Sequence, residues 1–228
     1  MEINDKPFKG HGFHLAGIIP CAGQPLEYGM EWPDFMMPVA PNYTMLEAAI
    51  LECAYAGCDT IWLCMHHETA RFVRQRIGDF VQDPVWINRR HEAFPSEHKI
   101  RIPIYYVPIH PKDKDRRDCL SWSVIYGALN AFKVSANISK WLIPDKYFVS
   151  FPYGMFSPWW LKDHRAAIRN TDKNFYVECD NKNFKDGTYG LRAGKNNATR
   201  AFESSEKRSE DGGGGAANVH SNSVPLAY

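Results

Sequence analysis

An α/β fold is predicted for this 228-residue chain: a three-layer sandwich around a mostly parallel central sheet. Three observations predict it. Short apolar runs of strand length recur along the sequence, and stretches with helical spacing or helix caps separate them. Two of the strand-like runs, 15–20 and 146–151, also end at a small-residue turn or a proline, the punctuation of strands that feed loops and helices.

The first such run, residues 15–20 (LAGIIP), is a strand built on Ile18 and Ile19. It opens onto Cys21, Ala22 and Gly23, a turn without bulky side chains, where backbone N–H groups are able to approach a phosphate. Ala22, Gly23 and Gln24 are therefore the candidate nucleotide-binding residues. The proline-bounded loop that follows ends at Met36, Met37, Pro38 and Val39, whose apolar side chains suit packing better than ligand contact.

Residues 44–57 predict a helix. Thr44 is its N-cap, Glu47 completes a capping box, and Gly57 stops it. The run DTIWLCM (59–65) is a buried strand. Residues 68–81 show helical spacing at Phe72, Val73, Ile77 and Phe80, with Arg71, Arg74 and Arg76 facing water. A strand over 100–109 contains Pro103, which suits an edge or a bulge. After the polar loop 111–118, a helix is expected over 120–134, a strand over 146–151, and a helix over 157–170 started by Ser157 and Pro158. NFYVEC (174–179) and TYGLRA (188–193) are expected to pair as a hairpin.

These elements fill one domain, residues 1–202. Residues 203–228 are rich in Gly, Ser and Asn, carry little apolar bulk, and are read as a flexible tail with a capacity for protein partners.

Composition excludes several classes. A net charge of +1 gives no global electrostatic case for nucleic acid or an anionic membrane. No apolar run approaches the ~20 residues that span a bilayer. The polar, acid-containing first residues resemble neither a secretory signal nor a transit peptide, so a reducing, cytoplasmic location is expected. The six cysteines fit that: Cys53 and Cys58 lack a second ligand pair for zinc, and thiols in apolar runs pack as small hydrophobes.

The order GIIPCAG, WPDFMMPV, TMLEAAILECAYAG, DTIWLC resembles the sugar-phosphate nucleotidyltransferases over roughly residues 15–165. That family opens with a strand, a G-x-G-T-R loop, P-K-x-M-L-P-V, a capped helix ending in A-G, and a second strand. The resemblance implies a Rossmann-like fold shared with GT-A-type glycosyltransferases, and a nucleotide or nucleotide-sugar as ligand. It also implies in-line transfer with Mg²⁺ as cofactor. In the family an Arg of the glycine loop, the Lys of the P-K step and a later Asp on Mg²⁺ neutralise charge at the reacting phosphates.

This sequence departs at all three. Gln24, Pro25, Leu26 and Glu27 follow Gly23, Asp34 replaces the Lys, and Tyr153 replaces the metal-binding Asp. One lost preorganised charge contact typically costs ~10²–10³ in rate. Family-type transfer from NTP to a sugar phosphate is thus not expected at these positions, and catalytic residues are not assigned. The alternative is a pseudoenzyme kept as a structural or assembly part of a larger complex. Asp113 and Asp115 form a D-x-D that resembles a glycosyltransferase metal motif, but Lys112, Lys114, Arg116 and Arg117 alternate with them as in a solvated loop. His66, His67 and Glu68 suit the start of a helix, and Tyr105, Tyr106, Trp159 and Trp160 suit a core or a stacking surface.

Overall fold

The computed structural model describes residues 14–22, 32–88, 101–114, 119–154, 157–171, 174–178 and 218–222. Strand β1 (Leu15–Pro20) is buried along its whole length, as its apolar sequence requires. A 3-10 turn over Asp34–Met36 precedes β2 (Pro38–Ala40) and β3 (Tyr43–Thr44), a small antiparallel ribbon that turns on Asn42 at φ 57°.

Helix α1 (Met45–Ala56) starts and stops where its local signals place it. Thr44 Oγ1 accepts the Glu47 N–H, the Thr44 N–H donates to Glu47 Oε2 at 2.7 Å, and Gly57 closes the helix in the left-handed region at φ 91°. Thr44→Ala should lower stability by about 1 kcal/mol. The readout is a shifted urea midpoint with an unchanged slope; no shift would mean that the box holds nothing.

β4 (Thr60–His66) and α2 (His67–Ile77) follow. The expected helix 68–81 is shorter than its periodicity suggested. Gly78, at φ 82°, ends it, and residues 80–82 form strand β5 (Phe80–Gln82). Phe80 thus belongs to a sheet edge, where Arg101 stacks on its ring at 4.6 Å. A short α3 (Pro84–Asn88) precedes β6 (Arg101–Ile109). Pro103 does not place β6 at the edge: the strand lies between β5 and β4, and Pro103 pairs opposite Phe80. Its missing donor is tolerated because β5 is only three residues long and Ile104 supplies the next N–H, to the Asp79 carbonyl.

α4 (Pro111–Lys114) is a single turn at the head of the polar loop. α5 (Leu120–Ile138) runs four residues beyond its expected end: no Gly or Pro interrupts it there, and Ser135 adds one more small residue to its buried side. β7 (Lys146–Val149) is followed by a 3-10 turn over Pro158–Trp160 and by α6 (Leu161–Asn170). The strand β8 (Asn174–Glu178) does form, but it pairs antiparallel with β9 (Asn218–Asn222), not with TYGLRA. TYGLRA and the remainder of residues 203–228 lie outside the described residues.

The sheet order is β5-β6-β4-β1-β7, with β1, β4, β6 and β7 parallel and β5 antiparallel. Helices cover both faces, so the three-layer, Rossmann-like α/β expectation holds. On one face Ile19, Ile61, Leu63, Met65 and Ile104 pack with Leu46, Ile50 and Cys53 of α1, Val73 of α2, and Leu161 and Ile168 of α6. On the other, Ala16, Ile18, Trp62, Cys64 and Val107 meet Ala131 of α5. The buried side of α5 is Ser123, Gly127, Ala131 and Ser135, one small residue every fourth position. A Cβ at Gly127 would stand 2.4 Å from Cys64 Sγ, so the absence of a side chain sets how close this helix sits to the sheet. Its bulky residues Ile125, Leu129 and Phe132 point outward and are exposed.

Candidate functional site

In open parallel sheets ligands bind beyond the carboxyl ends of the strands, where the strand order reverses. Here β1, β4 and β6 step to one side and β7 returns to the other side of β1, so the reversal lies between β1 and β7. Cys21 and Ala22 leave the first of these strands, and Ser150 leaves the second. The loop picked from sequence therefore begins at the topological switch point. Gly23 and Gln24 lie outside the described residues.

Ala22 has a different job from the one its neighbours suggested. The N–H groups of Cys21 and Ala22 both donate to the Cys64 carbonyl of β4, at 2.7 and 3.0 Å. The Ala22 carbonyl accepts from Ser123 Oγ at 2.7 Å. Ala22 is fully buried and pins the loop to β4 and to the first turn of α5. Its donor is engaged by protein, and any phosphate contact has to come from residues farther along. The first turn of α5 holds no acidic residue, so the positive end of a 19-residue helix opens beside this loop.

Across the switch point, the Ser150 N–H donates to the Ile18 carbonyl, which ties the end of β7 to β1. The chain then turns between Phe151 and Gly154. Tyr153, which the sequence resemblance sets against a metal-binding Asp, is buried in the same core cluster as Phe35 and Met36. Asp34, which the same resemblance sets against a Lys, is buried in its 3-10 turn. Neither side chain is presented to solvent. A tyrosine ring and an acid turned into the protein do not fit a Mg²⁺-triphosphate.

Of the D-x-D pair, Asp113 donates its N–H to the carbonyl of His110, the residue before α4, and Asp115 lies outside the described residues. Among the described residues no three His, Cys, Asp or Glu side chains are grouped to hold a metal ion. His66 is the N-cap residue of α2 and its carbonyl accepts from Thr69 Oγ1, the helix-start role expected of it. Trp62 stacks on Tyr105 with centroids 4.3 Å apart, while Trp159 is exposed with Lys162 over its ring.

A buried acid beside the switch point escaped the sequence reading. Glu52 lies on the inner face of α1 and accepts a 2.6 Å hydrogen bond from Ser150 Oγ at the end of β7. Burial pushes its carboxyl up to about 8, against the lowering effect of the Ser150 hydroxyl. The nearby thiols are likewise held neutral: burial, and then the neighbouring Cys64, raises Cys21, and burial alone pushes Cys64 to about 12. The sequence signal for Glu52 was an acid in a helix whose apolar residues leave no wet side.

No protein-family model matches the chain, and no curated protein matches it either. Among solved structures, it is similar to the crystal structure of Rv0371c from Mycobacterium tuberculosis H37Rv, with a TM-score of 0.40 and 14% identity. The match covers 73% of this chain and 66% of that one, just under two thirds of its length.

Proposed function

We propose that this chain is a nucleotidyltransferase-like domain that binds a nucleotide or nucleotide-sugar at the β1/β7 switch point, without family-type transfer. The reading rests on one observation: the strand order sets the small-residue turn after β1 at the reversal, beside the first turn of α5. The ligand's base and ribose need shape and a few backbone contacts; its phosphates need donors from residues after Ala22 and the field of the helix end. Family-type transfer is disfavoured because an acid, Asp34, stands where the resemblance calls for a cation and a phenol, Tyr153, where it calls for a metal-binding carboxylate, and both are buried.

The test is a thermal shift series with each NTP and with nucleotide-sugars, with and without Mg²⁺. Ligand at 100-fold over its Kd stabilises by about 2.7 kcal/mol. A saturable shift without Mg²⁺, lost when Gly23 is replaced by Trp, is the expected result. Pyrophosphate release from an NTP and a sugar phosphate would overturn the non-catalytic half of the reading. No shift with any nucleotide would overturn the binding half.

A second reading, a pseudoenzyme that serves as a part of a larger assembly, is favoured by the outward face of α5. Ile125, Leu129 and Phe132 are exposed there at helical spacing, and Lys133 is the helix's single charged residue.

A further inference from the structure

At the opposite end of the sheet, where β1, β4 and β6 begin, lies a cavity of about 450 Å³ lined by Cys58, Asp59, Asp83, Arg101, Ile102, Arg165 and Arg169. That volume is within the range of small-molecule sites. The lining carries three guanidinium groups and two carboxylates. Both carboxylates are heavily engaged. Asp83 takes Arg165 through both oxygens, at 3.0 and 2.6 Å, and its Oδ1 also accepts the N–H groups of Val85 and Trp86. Asp59 accepts the Leu15 N–H through Oδ2 at 2.9 Å and Arg169 through Oδ1 at 3.1 Å.

Arg101 is different. Its guanidinium lies over the Phe80 ring and has no carboxylate partner within 4 Å among the described residues. An arginine held on an aromatic face keeps its fork of donors at the ring's edge, available to a planar or tetrahedral oxyanion. Among the described residues the cavity thus has a surplus of one positive charge, a guanidinium without a carboxylate partner, and apolar wall from Ile102 and Cys58. We infer that this cavity is a binding site for a small organic oxyanion, a carboxylate or a phosphate monoester, with Arg101 as its principal contact and Arg165 and Arg169 supplying the surrounding positive field. The site is separate from the switch point and stands whether or not a nucleotide binds there.

The probes are inorganic phosphate, glycerol phosphate and acetate, each titrated into the full chain against chloride at matched ionic strength. The readouts are melting temperature and amide chemical shifts. Saturable stabilisation by phosphate or glycerol phosphate beyond that of chloride is expected if the phosphoryl group is the feature read, and by acetate if the carboxylate is. Arg101→Ala should weaken the effective probe at least tenfold, and Arg101→Lys, which keeps charge but not the fork, should weaken it less. Asp59→Asn should tighten it several-fold, because a competing negative charge leaves while the Leu15 N–H keeps an acceptor. That gain is one that an ion-pair cluster with only a structural role would not show. Equal effects of all anions and chloride, or an undiminished effect in Arg101→Ala, would overturn the assignment. A nucleotide shift that survives in Arg101→Ala would leave the switch-point reading intact while this one fails.

Discussion

Asp83→Ala is expected to lower the free energy of unfolding by about 3–4 kcal/mol. The side chain is 2% exposed and serves two functions at once. It starts α3 by accepting the N–H groups of Val85 and Trp86, and it anchors α6 by its two-point contact with Arg165. Truncation leaves two backbone donors uncapped and a guanidinium without its counter-charge. Arg165 is 21% exposed and is able to turn partly toward water, which keeps the loss below the upper end for a buried pair. Gly57 is part of the same arrangement, since a Cβ there would meet Arg165 Nε at 2.4 Å. Urea unfolding of Asp83→Ala, Arg165→Ala and the double variant closes the cycle. A coupling energy above about 1.5 kcal/mol is expected, and a loss under 1 kcal/mol in Asp83→Ala would show that the pair carries little of the α6 docking.

Glu52→Gln is expected to change how stability depends on pH more than it changes stability in acid. The folded protein holds the Glu52 proton up to about pH 8, whereas the unfolded chain releases it near 4.5. Between those values the unfolded state binds fewer protons, so stability falls as pH rises, by at most ~1.4 kcal/mol per pH unit from this group. The contribution is complete below about pH 4.5 and is lost by about pH 8, a total of several kcal/mol in order of magnitude. Gln keeps an acceptor for Ser150 and cannot ionise. The variant should match the wild type within about 1 kcal/mol at pH 4 and exceed it by several at pH 8.5. Parallel stability–pH curves for the two proteins would rule out a buried, neutral Glu52.

What was legible in the sequence was what local chemistry controls. The Thr44–Glu47 box and Gly57 bound α1 because a cap is made within a few residues. β1 and β4 were legible because strands buried on both faces are apolar throughout. Failures came where distant contacts decide. Phe80 continues the helical spacing of α2, yet Gly78 breaks the helix and β6 offers a strand partner. NFYVEC was expected to pair with a near neighbour, and pairs with Asn218–Asn222 instead. In α5 the apolar pattern points the wrong way: the sheet selects the small residues, and the large ones are left outside.

For the candidate site, the order of motifs led to the β1/β7 switch point, and Ala22 does stand there. Sequence position alone did not reveal that its N–H is taken by Cys64, because that contact joins residues 42 apart. Nor did it reveal Glu52, whose partner Ser150 is 98 residues away.

The placement of β1 has a consequence for how the molecule is made. Every residue of this strand is buried, and it needs neighbours on both sides: β4 soon after it, and β7 only much later, with His14 bonded to Asp145, 131 residues on. A ribosome adding 5–20 residues per second leaves one flank of that hydrophobic ribbon bare for on the order of 10 s. Nascent chains halted before Lys146 should be captured by chaperones that bind extended apolar segments, and those released past Val149 should escape them.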